Sequence, residues 1–273
     1  MSLDCFVATL LAMTVRLRGN PMKIDESLLR RLWPRGDRRV AGLIAGTAAA
    51  SESVFVRFGI ATPTLAAHVM AQLSHECGAG QEVVENLDYT AARMMQVWPS
   101  RFPTLASAAP YAHDPRALAN KVYNGRMGNR AGSDDGWSYR GRGAAQTTGR
   151  EGYARLAALT GLDLVNDPDL LIDPRHFLLC GVADFVACGC LPFAQVDDIV
   201  GVTRRLNGGT IGLAERKAWL ASWKAALAEA SVVIASPQPS PPRIEVPPQS
   251  QTQPPPSRWS QIVAVLRTAF RRS

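Results

Sequence analysis

The sequence predicts a mainly α-helical domain with long glycine-bearing loops, followed by a Pro-rich linker and a short basic amphipathic helix. Three observations predict it. Apolar residues recur at spacings of three and four in nine segments between Asp25 and Glu229, while alternating, strand-like patterns are scarce. Nine of the 22 residues in 236–257 are Pro and most of the others are Ser, Gln or Thr, a composition that cannot build a packed core. Beyond it, Trp259, Ile262, Val263, Leu266 and Phe270 recover a helical stripe, with Ser257 as candidate N-cap.

Taken in order, residues 1–21 form an appendage. Cys5 to Met13 is apolar, but Asp4 precedes it and no basic segment does, which makes a poor signal peptide. The domain runs from 22 to 230. Its predicted helices are Asp25–Leu32, Arg38–Phe58, Thr64–Glu76, Thr90–Trp98, Pro115–Tyr123, Glu151–Leu159, Pro174–Cys188, Gln195–Leu206 and Gly212–Glu229. The longest loop is 124–149. The linker occupies 231–257 and the terminal helix 258–273. That helix is too short and too rich in Arg to span a bilayer, and its stripe with four Arg suits the surface of an anionic membrane.

The chain has 273 residues, 47% of them hydrophobic and 19% charged, which excludes a wholly disordered chain. No stretch of 18 apolar residues exists. Net charge is +7, and residues 1–42 hold eight basic and four acidic groups, while the last sixteen residues hold four Arg and no acid. The basic excess therefore lies toward the ends. A nucleic-acid enzyme concentrates such charge on its body, so no nucleic-acid partner is expected. Five Cys form no CxxC motif, and small buried thiols are expected; a Cys180–Cys188 or Cys180–Cys190 disulfide is the alternative. His75-Glu76 begins like a zinc-peptidase HExxH, but position 79 is Ala, so no metal site is expected.

The informative helix is Thr64–Glu76. Thr62 suits an N-cap, Pro63 the first helical position, and Gly78 the end. Leu65, Val69 and Leu73, with Ala66 and Met70 beside them, form its expected buried stripe, and Glu76 continues that face. A carboxylate there is desolvated, which raises its pKa and suits it to serve as a general acid. Position alone favours a structural ion pair instead. A second acidic group alters that balance. After the Gly78-Ala-Gly80 turn, one of Glu82, Glu85 or Asp88 can face Glu76, and two opposed carboxylates are what glycoside hydrolysis needs. Spacing does not choose among the three. The segment from Trp137 and Tyr139 through Arg142 to Gln146 and Thr148 adds flat rings for sugars, glycines for close approach, and hydrogen-bonding groups. It lacks the GxxxxGK[ST] pattern of a phosphate loop.

The ordered set Ser74-His75-Glu76, Glu85-Asn86-Leu87, Tyr139-Arg-Gly-Arg-Gly-x-x-Gln146-x-Thr148 and Leu206-Asn207-Gly208-Gly209 resembles glycoside hydrolase family 19. The family holds chitinases and related phage and bacterial cell-wall lysozymes. The stretch from Val122-Tyr123-Asn124 to Asn129 is closest to the short, phage-type endolysin branch, and the resemblance spans roughly residues 23–228. It implies a lysozyme-like fold and an inverting mechanism with no cofactor. It implies Glu76 as general acid, Glu85 as the base that activates water, and Thr148 as the hydroxyl that helps hold that water. Tyr123, Trp137, Tyr139, Arg142, Gln146, Asn207 and Arg216 are the expected substrate-binding positions. Cys77 and Ile211 depart from the pattern; plant members carry a carboxylate where Ile211 stands. The expected substrate is bacterial peptidoglycan, with chitin second, and the expected form is a monomer acting on the cell wall after release or export. A catalytically silent wall-binding module is the contrasting possibility, and the two carboxylates argue against it.

Overall fold

The computed structural model describes residues 22–234. The appendage at 1–21, the Pro-rich stretch at 236–257 and the amphipathic helix at 258–273 lie outside the described residues. Twelve α-helices follow in order among the described residues: α1 (Glu26–Leu32), α2 (Leu43–Phe58), α3 (Pro63–Glu76), α4 (Ala91–Val97), α5 (Leu105–Ala108), α6 (Pro115–Tyr123), α7 (Asp135–Ser138), α8 (Arg150–Thr160), α9 (Phe177–Ala187), α10 (Leu191–Gln195), α11 (Ile199–Asn207) and α12 (Leu213–Ile234). No β-strand forms among these residues. Extended pairing is limited to two isolated antiparallel bridges, Val84 with Arg142 and Arg142 with Thr147.

Helix α3 is the axis of the molecule. The Thr62 hydroxyl caps its start by accepting from the Leu65 N–H at 3.2 Å, and Pro63 occupies the first turn, where no N–H is needed. Every residue from Leu65 to Glu76 is buried. The helix therefore has no wet face, contrary to the amphipathic reading of its sequence, and α9, α10, α11 and α12 all pack on it. Its polar side chains survive inside because they find partners. Ser74 accepts from two indole N–H groups, those of Trp33 and Trp223, both at 2.8 Å. His68 meets Asp197 at 2.7 Å, and Gln72 donates to the Thr203 hydroxyl at 3.3 Å.

The apolar residues fall into two cores. The larger gathers side chains from Ile24 to Val83 and again from Tyr139 to Leu227. The smaller uses only the intervening segment, including Leu87, Trp98, Phe102, Val122 and Tyr123. The chain crosses from one core to the other at residues 84–86.

Several boundaries differ from the sequence expectation. Helix α2 begins at Leu43, not Arg38, because residues 34–39 form turns and Gly42 adopts a left-handed φ of 77°. The expected Gln195–Leu206 helix starts only at Ile199, as α11, because α10 ends at Gln195, Asp197 takes a φ of 59° and Asp198 caps α11 through the Gly201 N–H. Helix α12 runs on to Ile234, past the composition-based boundary at 230. Cys77, Cys180, Cys188 and Cys190 are free thiols, with no disulfide among them.

Candidate active site

Glu76 ends α3 with its side chain fully buried, and its Oε1 accepts from the Arg216 guanidinium at 2.5 Å. Arg216 comes from the first turns of α12 and is itself buried, with a second guanidinium nitrogen donating to Gln72 Oε1. Burial draws the Arg216 guanidinium down to about 9, still protonated at neutral pH. Gln72 and Glu76 lie four residues apart and so share one edge of α3, which lets a single guanidinium hold both. The resemblance implies for Arg216 a cleft position that supports substrate or the acid–base network; its guanidinium faces protein groups and positions Glu76.

Glu85 sits where the two cores meet. Its Oε1 accepts from the Tyr123 hydroxyl at 2.6 Å and its Oε2 from the Gly141 N–H at 3.2 Å. The backbone fixes this arrangement. Glu85 N–H donates to Gly141 O and Gly143 N–H to Val83 O, both at 2.8 Å, so 83–85 is laced antiparallel to 141–143. Burial pushes the Glu85 carboxyl above its ordinary range. The Tyr123 hydroxyl, the Gly141 N–H and the charge of Arg140 act in the opposite direction without cancelling the effect. The result is a carboxylate of raised basicity, held still by two donors.

Of the three acidic candidates after the Gly78-Ala-Gly80 turn, Glu85 alone is held this way. Glu82 is exposed, with its side chain lying over Gly78. Asp88 is exposed and paired with His113 at 2.7 Å.

Gly141 is the meeting point of the site. A Cβ there would stand 3.2 Å from Gln146 Oε1, 3.3 Å from Glu85 Cβ and 3.4 Å from Thr148 Oγ1. Three sequence-predicted residues thus converge on one backbone position where even a methyl group would be tight. Gln146 has a left-handed φ of 53°, uncommon for a non-glycine residue. Its side-chain amide donates to Glu82 O at 2.7 Å and Gly143 O at 3.0 Å, bracing the loop. Thr148 is half-buried, and its hydroxyl donates to Gln146 O at 3.0 Å, which leaves the oxygen able to accept from a water. Between them, Thr147 turns to the core and donates to Asp184 on α9 at 2.8 Å, anchoring the loop.

The remaining predicted binders are placed differently. Tyr139 is buried, donates to Val165 O at 3.0 Å and packs edge-on against Tyr153, so its ring is core and no sugar platform. Arg142 is buried, pairs with Asp169 at 2.9 Å and donates to Ser138 O, which makes it a brace for the loop. Asn207 is buried and donates to Ile211 O at 3.1 Å. Tyr123 acts through Glu85. Trp137 is half-buried, and the Arg140 guanidinium covers one face of its ring at 3.6 Å.

Arg140 is the residue that sequence reasoning missed. It is pinned by its stack on Trp137 and by donation to Trp137 O at 2.8 Å, and its charge acts on Glu85. Its place between two site residues in the loop was the available signal. Two carboxyl groups, one paired with a buried guanidinium and one held by neutral donors beside a hydroxyl, can divide the acid and base roles of a glycosidic hydrolysis.

No family model matches the chain. A curated protein of Haemophilus influenzae, described as a glycosyl hydrolase family 19 domain-containing protein, is 32% identical over 197 residues, covering 71% of this chain and 92% of that protein. Among solved structures, chitinase C from Streptomyces griseus superposes with a TM-score of 0.51 at 16% identity, over 78% of this chain and 96% of that one; the likeness is one of fold. The α-helical architecture of the described residues, with no sheet among them, agrees with that match. On the strength of the extended relationship to the Haemophilus protein, the chain belongs to glycosyl hydrolase family 19.

Proposed function

We propose that this glycoside hydrolase cleaves β-1,4 linkages within N-acetylated amino-sugar polymers, with inversion, and that its substrate is bacterial peptidoglycan. The observation that carries the reading is the convergence of Glu85, Gln146 and Thr148 on Gly141, in a chain where the buried carboxylate that ends α3, Glu76, has its own guanidinium. Glu76 delivers a proton to the glycosidic oxygen as the C–O bond breaks and its electron pair goes to that oxygen. Arg216 then takes up the negative charge left on Glu76, and that charge-assisted contact strengthens as the proton leaves. Water held between Thr148 and Glu85 attacks the anomeric carbon from the opposite face, and Glu85 accepts its proton. Solvent returns that proton to Glu76 between turnovers. Raised basicity suits Glu85 to the base role, because a general base works best when its pKa lies closer to the operating pH.

Support for peptidoglycan comes from the sequence resemblance to the short endolysin branch, and with that substrate the enzyme's work is at the cell wall. Chitin is the second reading, favoured by the shared fold with a chitinase and by the N-acetylglucosamine unit common to both polymers. Mass analysis of the fragments released from purified sacculi tests the proposal. Disaccharide-peptides with a reducing amino sugar at the cut end are expected. Intact glycan strands with free peptides, or release of oligomers from chitin alone, would refute it.

A further inference from the structure

The turn between α1 and α2 carries charge that the proposed hydrolysis leaves unused. Residues 30–39 contain five Arg and one Asp. Along the sequence this excess lies toward one end of the chain, yet the segment is folded into the body. Trp33 is buried and tied to Ser74, two residues before Glu76. Gly36 presses on the turn that follows Glu76: a Cβ on Gly80 would stand 2.8 Å from Gly36 Cα. The arginine turn is thus bolted to the connection that runs from Glu76 to Glu85.

On its outer side lies a shallow, open pocket of about 510 Å³, lined by Arg30, Pro34, Arg35, Asp37, Arg38 and Ile44. Its cations are not equivalent. Arg30 is engaged, with Glu26 at 2.6 Å and Asp37 at 3.0 Å. Asp37 is engaged as well, accepting from the Ile44 N–H at 2.8 Å. Arg35 and Arg38 are exposed and form no ion pair among the described residues. Two unpaired guanidinium forks therefore stand on a framework that other bonds already hold in shape. Guanidinium forks match carboxylates in bidentate geometry, and an open pocket suits a flexible branch better than a rigid sugar ring.

We propose that this pocket is a subsite for the carboxylates of the peptide branches carried by peptidoglycan, so that Arg35 and Arg38 select the anionic polymer over neutral chitin. The proposal rests on peptidoglycan as the substrate and supplies a structural basis for it. The polymer passes over the 76–85 connection to be cut, and its peptide branches reach sideways to a patch packed on that same connection. Asp37 in the pocket wall weighs against a polyphosphate, whose charge is dense and continuous along the chain.

The test uses the full chain with Glu76→Gln, which slows turnover enough for binding to be read, and compares it with the same protein also carrying Arg35→Ala and Arg38→Ala. Binding is measured by sedimentation with purified sacculi and with sacculi whose carboxylates are capped as methylamides, and by mobility shift with a DNA duplex. The double substitution is expected to weaken binding to intact sacculi about tenfold, the equivalent of one charge-assisted hydrogen bond. Binding to capped sacculi, weaker in the parent, is expected not to fall further, and the difference between the two polymers should shrink as salt rises. Both side chains are exposed, so an unchanged melting temperature is expected and checks the fold. Equal binding of intact sacculi by the two proteins would overturn the subsite. So would an equal loss on capped sacculi, or a loss seen with the duplex and not with sacculi. Cleavage of sacculi by the unsubstituted enzyme is scored separately. If cleavage is absent while arginine-dependent capture persists, the hydrolase reading fails and the subsite stands.

Discussion

Glu76 and Glu85 both feel burial, but what touches them sets them apart. A guanidinium sits on Glu76, while Glu85 has a phenol, a backbone N–H and the more distant Arg140. Replacing Glu76 by Gln removes the transferable proton in a nearly isosteric change, and turnover is expected to fall by about 10²–10⁴ with the fold intact. Clearance of sacculi at an undiminished rate would remove Glu76 from the acid role. For Glu85 the sign of the pH effect follows from its contacts. The Tyr123 hydroxyl holds the carboxyl lower than burial alone would, so Tyr123→Phe raises it further. Activity that needs ionised Glu85 then disappears at a higher pH. The acid limb of kcat/KM is expected above the ordinary carboxylate range and displaced further upward in Tyr123→Phe; a limb that stays in place would show that another group reports there. Asp88→Asn, by contrast, touches only an exposed pair with His113, and a mild effect on kcat is expected.

At the scale of the element, α3 shows what its sequence disclosed and what it concealed. Thr62, Pro63 and the apolar positions marked the helix and its ends, because capping and periodicity are local properties. Burial of the opposite edge was not legible. The partners of His68, Gln72 and Ser74, namely Asp197, Thr203, Arg216 and two tryptophans, arrive from distant parts of the chain. For the same reason the choice among Glu82, Glu85 and Asp88 was closed to spacing and needed Tyr123 and Gly141 in place. The Trp137–Thr148 loop was legible as a site, but the roles of its residues were not. Tyr139 and Arg142 look like ligand groups in one dimension and are braces in three. Two predictions belong here. Ser74→Ala leaves two buried indole donors unsatisfied, at about 1–3 kcal/mol each, and a loss of several kcal/mol is expected in denaturant unfolding. Gly141→Ala sets a methyl group among Gln146, Glu85 and Thr148 at 3.2–3.4 Å. It is expected to lower kcat by about tenfold or more, as small displacements of catalytic groups do, with only a modest change in melting temperature.

Across the whole molecule, the candidate site lies where two cores meet. The larger core supplies Glu76, Arg216 and the loop with Gln146 and Thr148, and the smaller supplies Tyr123. Glu85 lies on the crossing segment and is held from both sides. Relative movement of the cores would therefore act on Glu85 first, while Glu76 stays locked in the larger core. On the proposed mechanism, the acid Glu76 is built into the axis of the fold, and the base Glu85 is held by two parts laced together by backbone hydrogen bonds. If Glu85 activates water and does not itself attack carbon, each product molecule is released with its anomeric configuration inverted. An NMR time course of the first products from a soluble N-acetylated amino-sugar oligomer reads this directly, before mutarotation mixes the anomers. The α-anomer at the new reducing end is expected to form first from a β-linked substrate. Initial appearance of the β-anomer would make Glu85 a nucleophile, or displace it from the reaction altogether, and would contradict an acid at Glu76 working with a water-activating base at Glu85.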